Sequence, residues 1–522
     1  MRKKNIKGLI VAAFFAVILI TSTLALALNS GSNQQNPLTK STITGTPADN
    51  FPDLERPKFC STGEPKSTTY ITEFRIPTDC TQPLAITVDD SGMVYFVQTN
   101  TGKVAKFDPT TEYFVEYPNP DWPANARSMS WGADYSYDGN VWYTDDSFNS
   151  LWKFSTIDGT YERVGFPTKE DSLPQKIRAL GNQLIVNDFY EGKISFYDTT
   201  QTTEDKTYTN IPSPLPGSFV GGFDVDHNGN IWYTNWLLRQ GGALVKFDNT
   251  KFNEFVQSNT GQNVTVLEFS QAYNLPPAIG APNGLSADKH GNIWLADTAS
   301  SAFYKFTESD EAFTKYVTSD APKSTYGNAT GVIKIPVSQP YWTQIDGDKL
   351  YLNEQAANAL AVFDIEQETL LEYHVPSKNP HWADCGDQQN CGIAQVFGFK
   401  ATQDTIWFTE WVENKIGKVD LSEPLSATIS VSQKQISIPR GQTASMEITV
   451  NTNTNTEILS KATSEFSDIM VKIPTKQITD SQSIPVSIVT SQSALPGTYK
   501  VLLSARTADL TVSEFVTVTI TQ

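Results

Sequence analysis

The chain has 522 residues, of which 39% are hydrophobic, 11% aromatic and 18% charged, and this is the composition of a folded protein. Its 31 glycines and 29 prolines supply turn residues between short strands and favour an all-β fold. The formal net charge of −18 argues against a nucleic-acid partner, because phosphate contacts need clustered Lys and Arg.

Residues 1–28 combine a basic start, with Arg2, Lys3 and Lys4, and an apolar run over 9–28 that directs export. The small residues at 25–27 fit a signal-peptide cleavage site. The run is also long enough, at about 1.5 Å per residue, to cross a bilayer core as an uncleaved anchor. Both alternatives place everything after Asn29 outside the cytoplasm, secreted or anchored to the outer face of the membrane.

Residues 29–69 are rich in Ser, Thr, Asn, Gln, Gly and Pro, which predicts a flexible tether and lead-in. Four cysteines in an exported chain favour disulfides over metal binding. Cys385 and Cys391 are predicted to close a short loop, which leaves Cys60 to pair with Cys80. Pairing of Cys80 with Cys385 or Cys391 stays open at this point.

One phrase recurs seven times, and each copy is a turn followed by a strand rich in β-branched and aromatic residues. The clearest copies are residues 139–145, 229–235 and 291–297; the weaker ones are 94–98, 184–188, 350–354 and 406–410. Further strand-like phrases lie before and after each copy. Each unit therefore holds four strands in roughly 40 to 60 residues, which is typical of a β-propeller blade.

The seventh copy lacks its last phrase, and an unassigned phrase of the same pattern occurs at 70–77. We predict that this N-terminal strand completes the last blade and closes a seven-bladed propeller over residues 70–423, because closure removes a free sheet edge. Alternating segments after residue 424 predict a small immunoglobulin-like β-sandwich over 424–522.

The strand of each repeat ends on a polar residue, and equivalent positions of a ring are expected to approach one end of its channel. These ring positions are Gln98, Asp145, Asp188, Asn235, Asp297, Glu354 and Glu410. One interpretation is a Mg²⁺ or Ca²⁺ site, or a catalytic acid or base, in this ring. The other, which we favour, is that each carboxylate accepts backbone N–H groups and fixes a local turn.

Several aromatic residues lie next to the ring or in the connections between blades, namely Trp236, Trp411, Trp342 and Trp382. They are candidates for stacking on a sugar or a planar ligand, although packing of blade against blade is the more common role of such residues. Of the four histidines, only His381 lies in a connection that reaches the channel mouth.

The phrases at 406–410 and 414–419 resemble the repeats of streptogramin B (virginiamycin B) lyases, and the resemblance covers residues 70–420. It implies a seven-bladed ring and, in the true lyases, Mg²⁺-assisted elimination by an inner-strand His with a carboxylate at the Glu410 position. In this chain the corresponding upstream positions hold Gly221, Asn283, Pro340 and Val396, and none is His.

These observations predict a secreted or surface-bound recognition module whose partner is a small molecule, a glycan or a surface protein. The alternative is a divalent-metal-assisted lyase or lactone hydrolase that uses Asp297, Glu354, Glu410 and Asn283 around Mg²⁺ or Ca²⁺. The absence of a general-base His at the matching positions favours the first hypothesis.

Overall fold

The computed structural model describes residues 60, 64–124, 126–166, 172–201, 208–237, 240–258, 266–327, 337–383, 385–386, 388, 390–464 and 468–522. The predicted export segment and most of the predicted tether lie outside these residues. Within the described part of the chain, no helix is both long and apolar enough to span a bilayer.

Most of the chain forms seven antiparallel blades of four strands, the blades of a propeller; six are separate sheets, and blade six is part of a nine-stranded sheet. After β1 (Ile71–Arg75), blade one is β2 (Pro83–Val88), β3 (Val94–Gln98), β4 (Val104–Asp108) and β5 (Tyr113–Tyr117). Blade two is β6 (Ala133–Ser136), β7 (Asn140–Asp145), β8 (Ser150–Ser155) and β9 (Tyr161–Gly165). Blade three is β10 (Pro174–Leu180), β11 (Gln183–Asp188), β12 (Lys193–Asp198) and β13 (Tyr208–Pro212).

Blade four is β14 (Phe219–Val225), β15 (Ile231–Leu237), β16 (Gly241–Phe247) and β17 (Ser270–Asn274), with helix α1 (Asn249–Ser258) and a 3₁₀ turn (Val266–Phe269) before β17. Blade five is β18 (Pro282–Ala287), β19 (Ile293–Asp297), β20 (Ala302–Thr307) and β21 (Ala312–Val317), with a 3₁₀ turn (Glu308–Asp310) before β21 and a short helix α2 (Lys323–Tyr326) after it. Blade six is β22 (Pro340–Asp346), β23 (Lys349–Glu354), β24 (Ala359–Asp364) and β25 (Thr369–His374), followed by a 3₁₀ turn (Pro380–Trp382). Blade seven combines β26 (Val396–Ala401), β27 (Thr405–Glu410) and β28 (Lys415–Asp420) with β1.

The first strand of each blade lines the central channel, and a tight turn connects it to the second strand. In blade four, Asp226 makes this turn: its carboxylate accepts the N–H groups of Asn228 and Asn230, each at 2.9 Å, and the indole N–H of Trp232 at 2.9 Å. Gly229 takes a φ of +80°, which a side chain would strain. The repeated Asp, Gly and Trp of the sequence phrase are therefore one hydrogen-bonded unit. We call the end of the channel with these turns the lower end and the opposite end the upper end.

Strand β1 closes the ring, because it pairs antiparallel with β28 from Ile71 opposite Val419 to Arg75 opposite Lys415. The prediction of a closed all-β propeller is confirmed. The predicted cysteine pairs are also confirmed: Cys60 is bonded to Cys80 and Cys385 to Cys391.

The remaining strands form a β-sandwich. They are β29 (Ala427–Val431), β30 (Gln435–Pro439), β31 (Thr443–Thr452), β32 (Thr456–Ala462), β33 (Ile469–Lys472), β34 (Gln477–Ile478), β35 (Gln482–Thr490), β36 (Gly497–Arg506) and β37 (Leu510–Thr521). One sheet has the order β29-β31-β35-β33, and the other contains β37-β36-β32-β34 with β30 parallel to β37. The immunoglobulin-like character of this sandwich stays a prediction.

The sandwich is joined to blade six through a shared sheet. The first half of β37 pairs antiparallel with β25, from Leu510 opposite Tyr373 to Glu514 opposite Thr369. The outer edge of blade six is thereby covered. The sandwich is therefore continuous with the sheet of blade six, and the chain connection is not its only link to the propeller.

Removal of all residues before Cys80 should expose the edge of β28 and lower the melting temperature of the propeller, because blade seven loses a strand. Hydrogen exchange should show the largest loss of amide protection in β28 and β27. The matched control starts at Glu64 and carries Cys80→Ser, so that it lacks the disulfide but keeps β1. Equal melting temperatures for the two variants would contradict a closing role for β1.

Candidate functional site

The seven ring positions lie at the upper end, each in the second strand of its blade, and each side chain is at most 1% exposed. Because the second strand is separated from the channel axis by the inner strand, these side chains do not gather in the channel. They are Gln98, Asp145, Asp188, Asn235, Asp297, Glu354 and Glu410.

Asp297 shows what the shorter acids of the ring do. One oxygen accepts the N–H groups of Gly280 at 3.1 Å and Ala281 at 2.7 Å, in the segment that leads into β18. The other accepts the Ser300 hydroxyl at 2.7 Å. The equivalent acids are bonded within their own blades in the same way, Asp188 to the N–H of Leu173 at 3.0 Å and Asp145 to the indole N–H of Trp152 at 2.8 Å. This arrangement matches the turn-anchoring interpretation.

Glu354 and Glu410 differ, because glutamate is one methylene longer and its carboxyl reaches the outer strand of its own blade. Glu354 faces Glu372 of β25, and Glu410 faces Glu73 of β1. Neither carboxyl has a hydrogen bond of good geometry from the described residues, although the hydroxyls of Thr318 and Ser338 lie beside Glu354. Burial, together with the neighbouring acid, holds the pKa of both Glu354 and Glu410 well above the usual range.

The expected common metal site of Asp297, Glu354, Glu410 and Asn283 is not formed. Each acid points into its own blade, and the Asn283 amide donates to the Thr298 hydroxyl at 2.9 Å. Among the described residues, the group of three potential ligands that lie within metal-binding distance of one another is His290, Asp348 and Glu366 at the lower end. Asp348 of this group already pairs with the Lys289 ammonium at 2.6 Å.

Three of the four candidate tryptophans are buried. Trp411 packs against Trp382 with ring centroids 5.7 Å apart and against Phe397 at 5.4 Å, and Trp236 packs on Phe219 at 5.5 Å. These rings fill the upper half of the channel and are not exposed for stacking on a ligand. Trp342 is partly buried and lines the lower half. His381 is exposed, on the 3₁₀ turn after blade six.

The lower half of the channel holds a cavity of about 430 Å³ that is lined by the inner strands of all seven blades. It contains three basic and two acidic side chains. Arg178 pairs with Asp224, and Lys400 lies 3.4 Å from Asp134 on the other side of the channel. We refer to this space as the lower channel.

Lys176 is the third cation of the lower channel. Its ammonium donates to the carbonyl oxygens of Phe223 at 2.8 Å and Leu285 at 3.2 Å, and no carboxylate in the described chain pairs with it. Burial and the nearby Arg178 lower the pKa of Lys176 to about 7. The lower channel therefore has a local excess of positive charge in a chain of net charge −18.

The acids also tie neighbouring blades together. Asp134 accepts the N–H of Ala179 and Asp224 accepts the N–H of Ala287, both at 3.0 Å, so each carboxylate has a fixed orientation. The charged lining is held rigidly by the inner strands.

Sequence reasoning missed the lower channel because it followed the conspicuous second strand of the repeat. A usable signal was present: four charged residues occur ten or eleven positions before a ring position, inside otherwise apolar strands. They are Asp134, Arg178, Asp224 and Lys400.

Comparison with known proteins supports the fold. Neither a family model nor a curated protein sequence matches the chain. Virginiamycin B lyase from Staphylococcus aureus is similar in structure, with a TM-score of 0.50 and 20% identity, over 69% of this chain and 100% of that one. A streptogramin B lyase has a TM-score of 0.49 and 20% identity, over 67% and 97%. The extracellular domain of a putative one-component system from B. thetaiotaomicron has a TM-score of 0.45 and 12% identity, over 88% and 60%. At this identity the similarity to the Staphylococcus aureus lyase shows the β-propeller fold alone.

Replacement of Asp297 by Ala should lower the free energy of unfolding by about 1–3 kcal/mol, because the buried N–H of Ala281 and the partly buried N–H of Gly280 lose their acceptor. Since the residue anchors a turn, the loss should be the same in Ca²⁺, in Mg²⁺ and in EDTA. Chemical denaturation measures it, with the exposed Asp90→Ala as control. A loss that appears only when a divalent cation is present would show that Asp297 binds metal.

Proposed function

We infer that this chain is an exported binding module that holds a small anionic ligand in the lower channel. The observation that carries the proposal is the Lys176 ammonium, which faces a cavity of about 430 Å³ and has carbonyl oxygens but no carboxylate as partners in the described chain. An anionic group would supply the missing counter-charge.

The side chains that line the lower channel indicate the chemical class of the ligand. Lys176, Arg178 and Lys400 offer charged donors, and Trp342 and Phe399 add aromatic surface beside them. Pockets of this size hold small molecules and combine apolar walls with a few placed polar groups. A carboxylate or phosphate with a small apolar or planar part fits these features.

The export segment at 1–28 and the two disulfides support a location outside the cytoplasm, because disulfides persist in oxidising compartments. Whether the N-terminal segment is cleaved decides between a secreted and a membrane-anchored form. In either form the propeller and its attached sandwich meet extracytoplasmic solutes.

The alternative of a metal-assisted lyase or lactone hydrolase has weaker support. Such an enzyme needs an ionised, accessible carboxylate and a general base beside it. Glu354 and Glu410 are 0% exposed and burial raises the pKa of each, and His381 lies on an exposed turn. A binding role therefore explains the placement of the charged side chains better.

Titration calorimetry with phosphate, citrate and gluconate should detect saturable binding of at least one anion, whereas uncharged glucose should not bind. Lys176→Met should weaken this binding at least about tenfold, because one charge-assisted contact is lost. The control is Lys472→Met, at an exposed position of the sandwich. An affinity that Lys176→Met leaves unchanged, or no binding by any of the three anions, would refute the proposal.

The affinity for the anion should fall as pH rises through about 7, because Lys176 loses its proton there and only the ammonium attracts an anion. Between pH 6 and pH 8.5 the expected loss is on the order of tenfold. Lys176→Met should abolish most of this dependence, while Lys472→Met keeps it. A flat profile for the unmodified chain would show that Lys176 does not contact the ligand.

A further inference from the structure

Blades six, seven and one share a polar cluster at the upper end, where side chains of the second strand reach past the third strand to the outer strand. In each blade an outer-strand glutamate accepts the hydroxyl of a Ser or Thr that follows the previous outer strand. The pairs are Glu372 with Ser319 at 2.8 Å, Glu73 with Ser377 at 2.7 Å, and Glu116 with Thr78 at 2.8 Å. We call these the outer-glutamate clusters.

In blade seven a lysine completes the cluster. Lys415, the first residue of β28, is 1% exposed, and its ammonium lies 2.9 Å from Glu73 and 2.5 Å from the Ser377 hydroxyl. The same ammonium interacts with the ring residue Glu410. Glu413 lies 3.7 Å from the same ammonium, so one buried cation serves the two facing carboxyls of Glu73 and Glu410 and a third, less buried one.

In blade one the cluster is completed differently. The ring residue is Gln98, whose amide donates to Glu116 at 2.6 Å, so only one carboxylate is present. The equivalent lysine, Lys103, lies 3.8 Å from Glu116 and donates to Thr78 at 3.0 Å.

Blade six has both acids but lacks the lysine. The residue opposite Glu354 in the strand register is Ala359, whereas Lys415 lies opposite Glu410. Among the residues that the structure describes, no donor makes a hydrogen bond of good geometry to either oxygen of Glu354 or to one oxygen of Glu372. Both side chains are at most 1% exposed.

Two further oxygen groups face the Glu354 carboxyl. They are the hydroxyls of Thr318 and Ser338, which lie 2.5 Å from each other. The charge of the Arg506 guanidinium partly offsets the rise in the pKa of Glu372 that burial causes. Its hydrogen bonds, however, go to the Ser319 hydroxyl at 2.9 Å and the Asp320 carbonyl at 2.6 Å. The carboxyls of Glu354 and Glu372 and the hydroxyls of Thr318 and Ser338 are therefore neighbours in the buried upper part of blade six.

Two buried carboxyls that face each other are unfavourable unless a proton or a cation compensates their charge. Blade seven uses an ammonium and blade one replaces one acid by an amide. The ligand set in blade six consists of hard oxygens with two potential negative charges, which is the donor set that Ca²⁺ prefers.

We propose that blade six binds one Ca²⁺ ion between Glu354 and Glu372, with the hydroxyls of Thr318 and Ser338 as further ligands, at the place where blade seven has the Lys415 ammonium. Thr318 directly follows the last strand of blade five, and Glu372 lies on β25, which carries β37. The ion therefore links blade five to blade six, next to the strand pair that joins the sandwich to the propeller.

The chain itself supplies the matched variants for a test. Glu354→Gln copies Gln98 of blade one, and Ala359→Lys copies Lys415 of blade seven. Glu410→Gln makes the same chemical change at the same ring position of blade seven, where a lysine already compensates the acids, and serves as the control.

The full chain, freed of metal with EDTA, is titrated with CaCl₂ in a calorimeter and melted with and without Ca²⁺ at constant ionic strength. We expect one Ca²⁺ per chain and an increase in Tm of about 2–4 °C at saturating Ca²⁺. Mg²⁺ should bind more weakly, because it requires a stricter octahedral geometry. Glu354→Gln and Ala359→Lys should lose the Ca²⁺ response, and Glu410→Gln should keep it.

The proposal is overturned if the unmodified chain binds no Ca²⁺, if its melting depends on pH but on no cation, or if Glu410→Gln loses the response as fully as Glu354→Gln. Should Ala359→Lys fail to fold, the comparison of the two Gln variants decides alone. Lys176→Met should keep the Ca²⁺ response, so failure of anion binding in the lower channel leaves this result unaffected.

Discussion

The pairing of β1 with β28 is the constraint on which the rest of the structure depends, because a seven-bladed ring has a channel only when its first and last strands meet. Several contacts hold this closure. The Cys60–Cys80 disulfide ties the segment before β1 to the segment after it, and Glu73 forms a buried ion pair with Lys415 of β28. Asn414 accepts both the N–H and the hydroxyl of Thr81 at 2.7 Å. Closure is therefore fixed by backbone pairing, a covalent bond and buried polar contacts together.

A closed ring brings seven inner strands to one axis, and their side chains divide the channel into two halves. In the upper half, Phe397 lies 5.8 Å from Trp131 of blade two, across the axis, and 5.4 Å from Trp411. Buried aromatic rings from several blades pack together in this half. In the lower half the inner strands bring charged side chains together, and this half contains the cavity. The division explains why binding chemistry occurs at the lower end although the conspicuous carboxylates lie at the upper end.

The individual features of the protein arise where one blade departs from the repeat. The inner-strand position two residues before Asp134, Asp224 and Lys400, and the equivalent position of blade five, is glycine. At Gly398 an added Cβ would lie 2.1 Å from the Leu84 carbonyl of the next blade. The same position is Lys176 in blade three and Trp342 in blade six, and both line the cavity. In blade six, Ala359 stands where blade seven has Lys415 and leaves two acids facing each other. The repeated strands form the ring, and the candidate sites lie where one blade carries a residue that differs from those at the equivalent positions of other blades.

The sequence by itself determined the all-β class and the seven blades, because these depend on periodic patterns between near neighbours. Closure joins distant segments, and it could be predicted because one repeat lacked a strand that the N-terminal phrase supplies. The phrase at 70–77 had the pattern of an outer strand, and the ring was the one arrangement that gave it a partner. The short spacing of Cys385 and Cys391 likewise predicted their disulfide.

Only the tertiary structure decided which side chains meet across the ring. Alternation along a strand shows which residues share a face, but it does not show how far that strand lies from the axis. The ring carboxylates were therefore expected in the channel, although they lie one strand away and bond within their own blades. Likewise, the pairing of β25 with β37 joins segments far apart in the chain, and neither strand carries a local signal for its partner. Contacts between distant segments depend on the closed ring, and no local period encodes them.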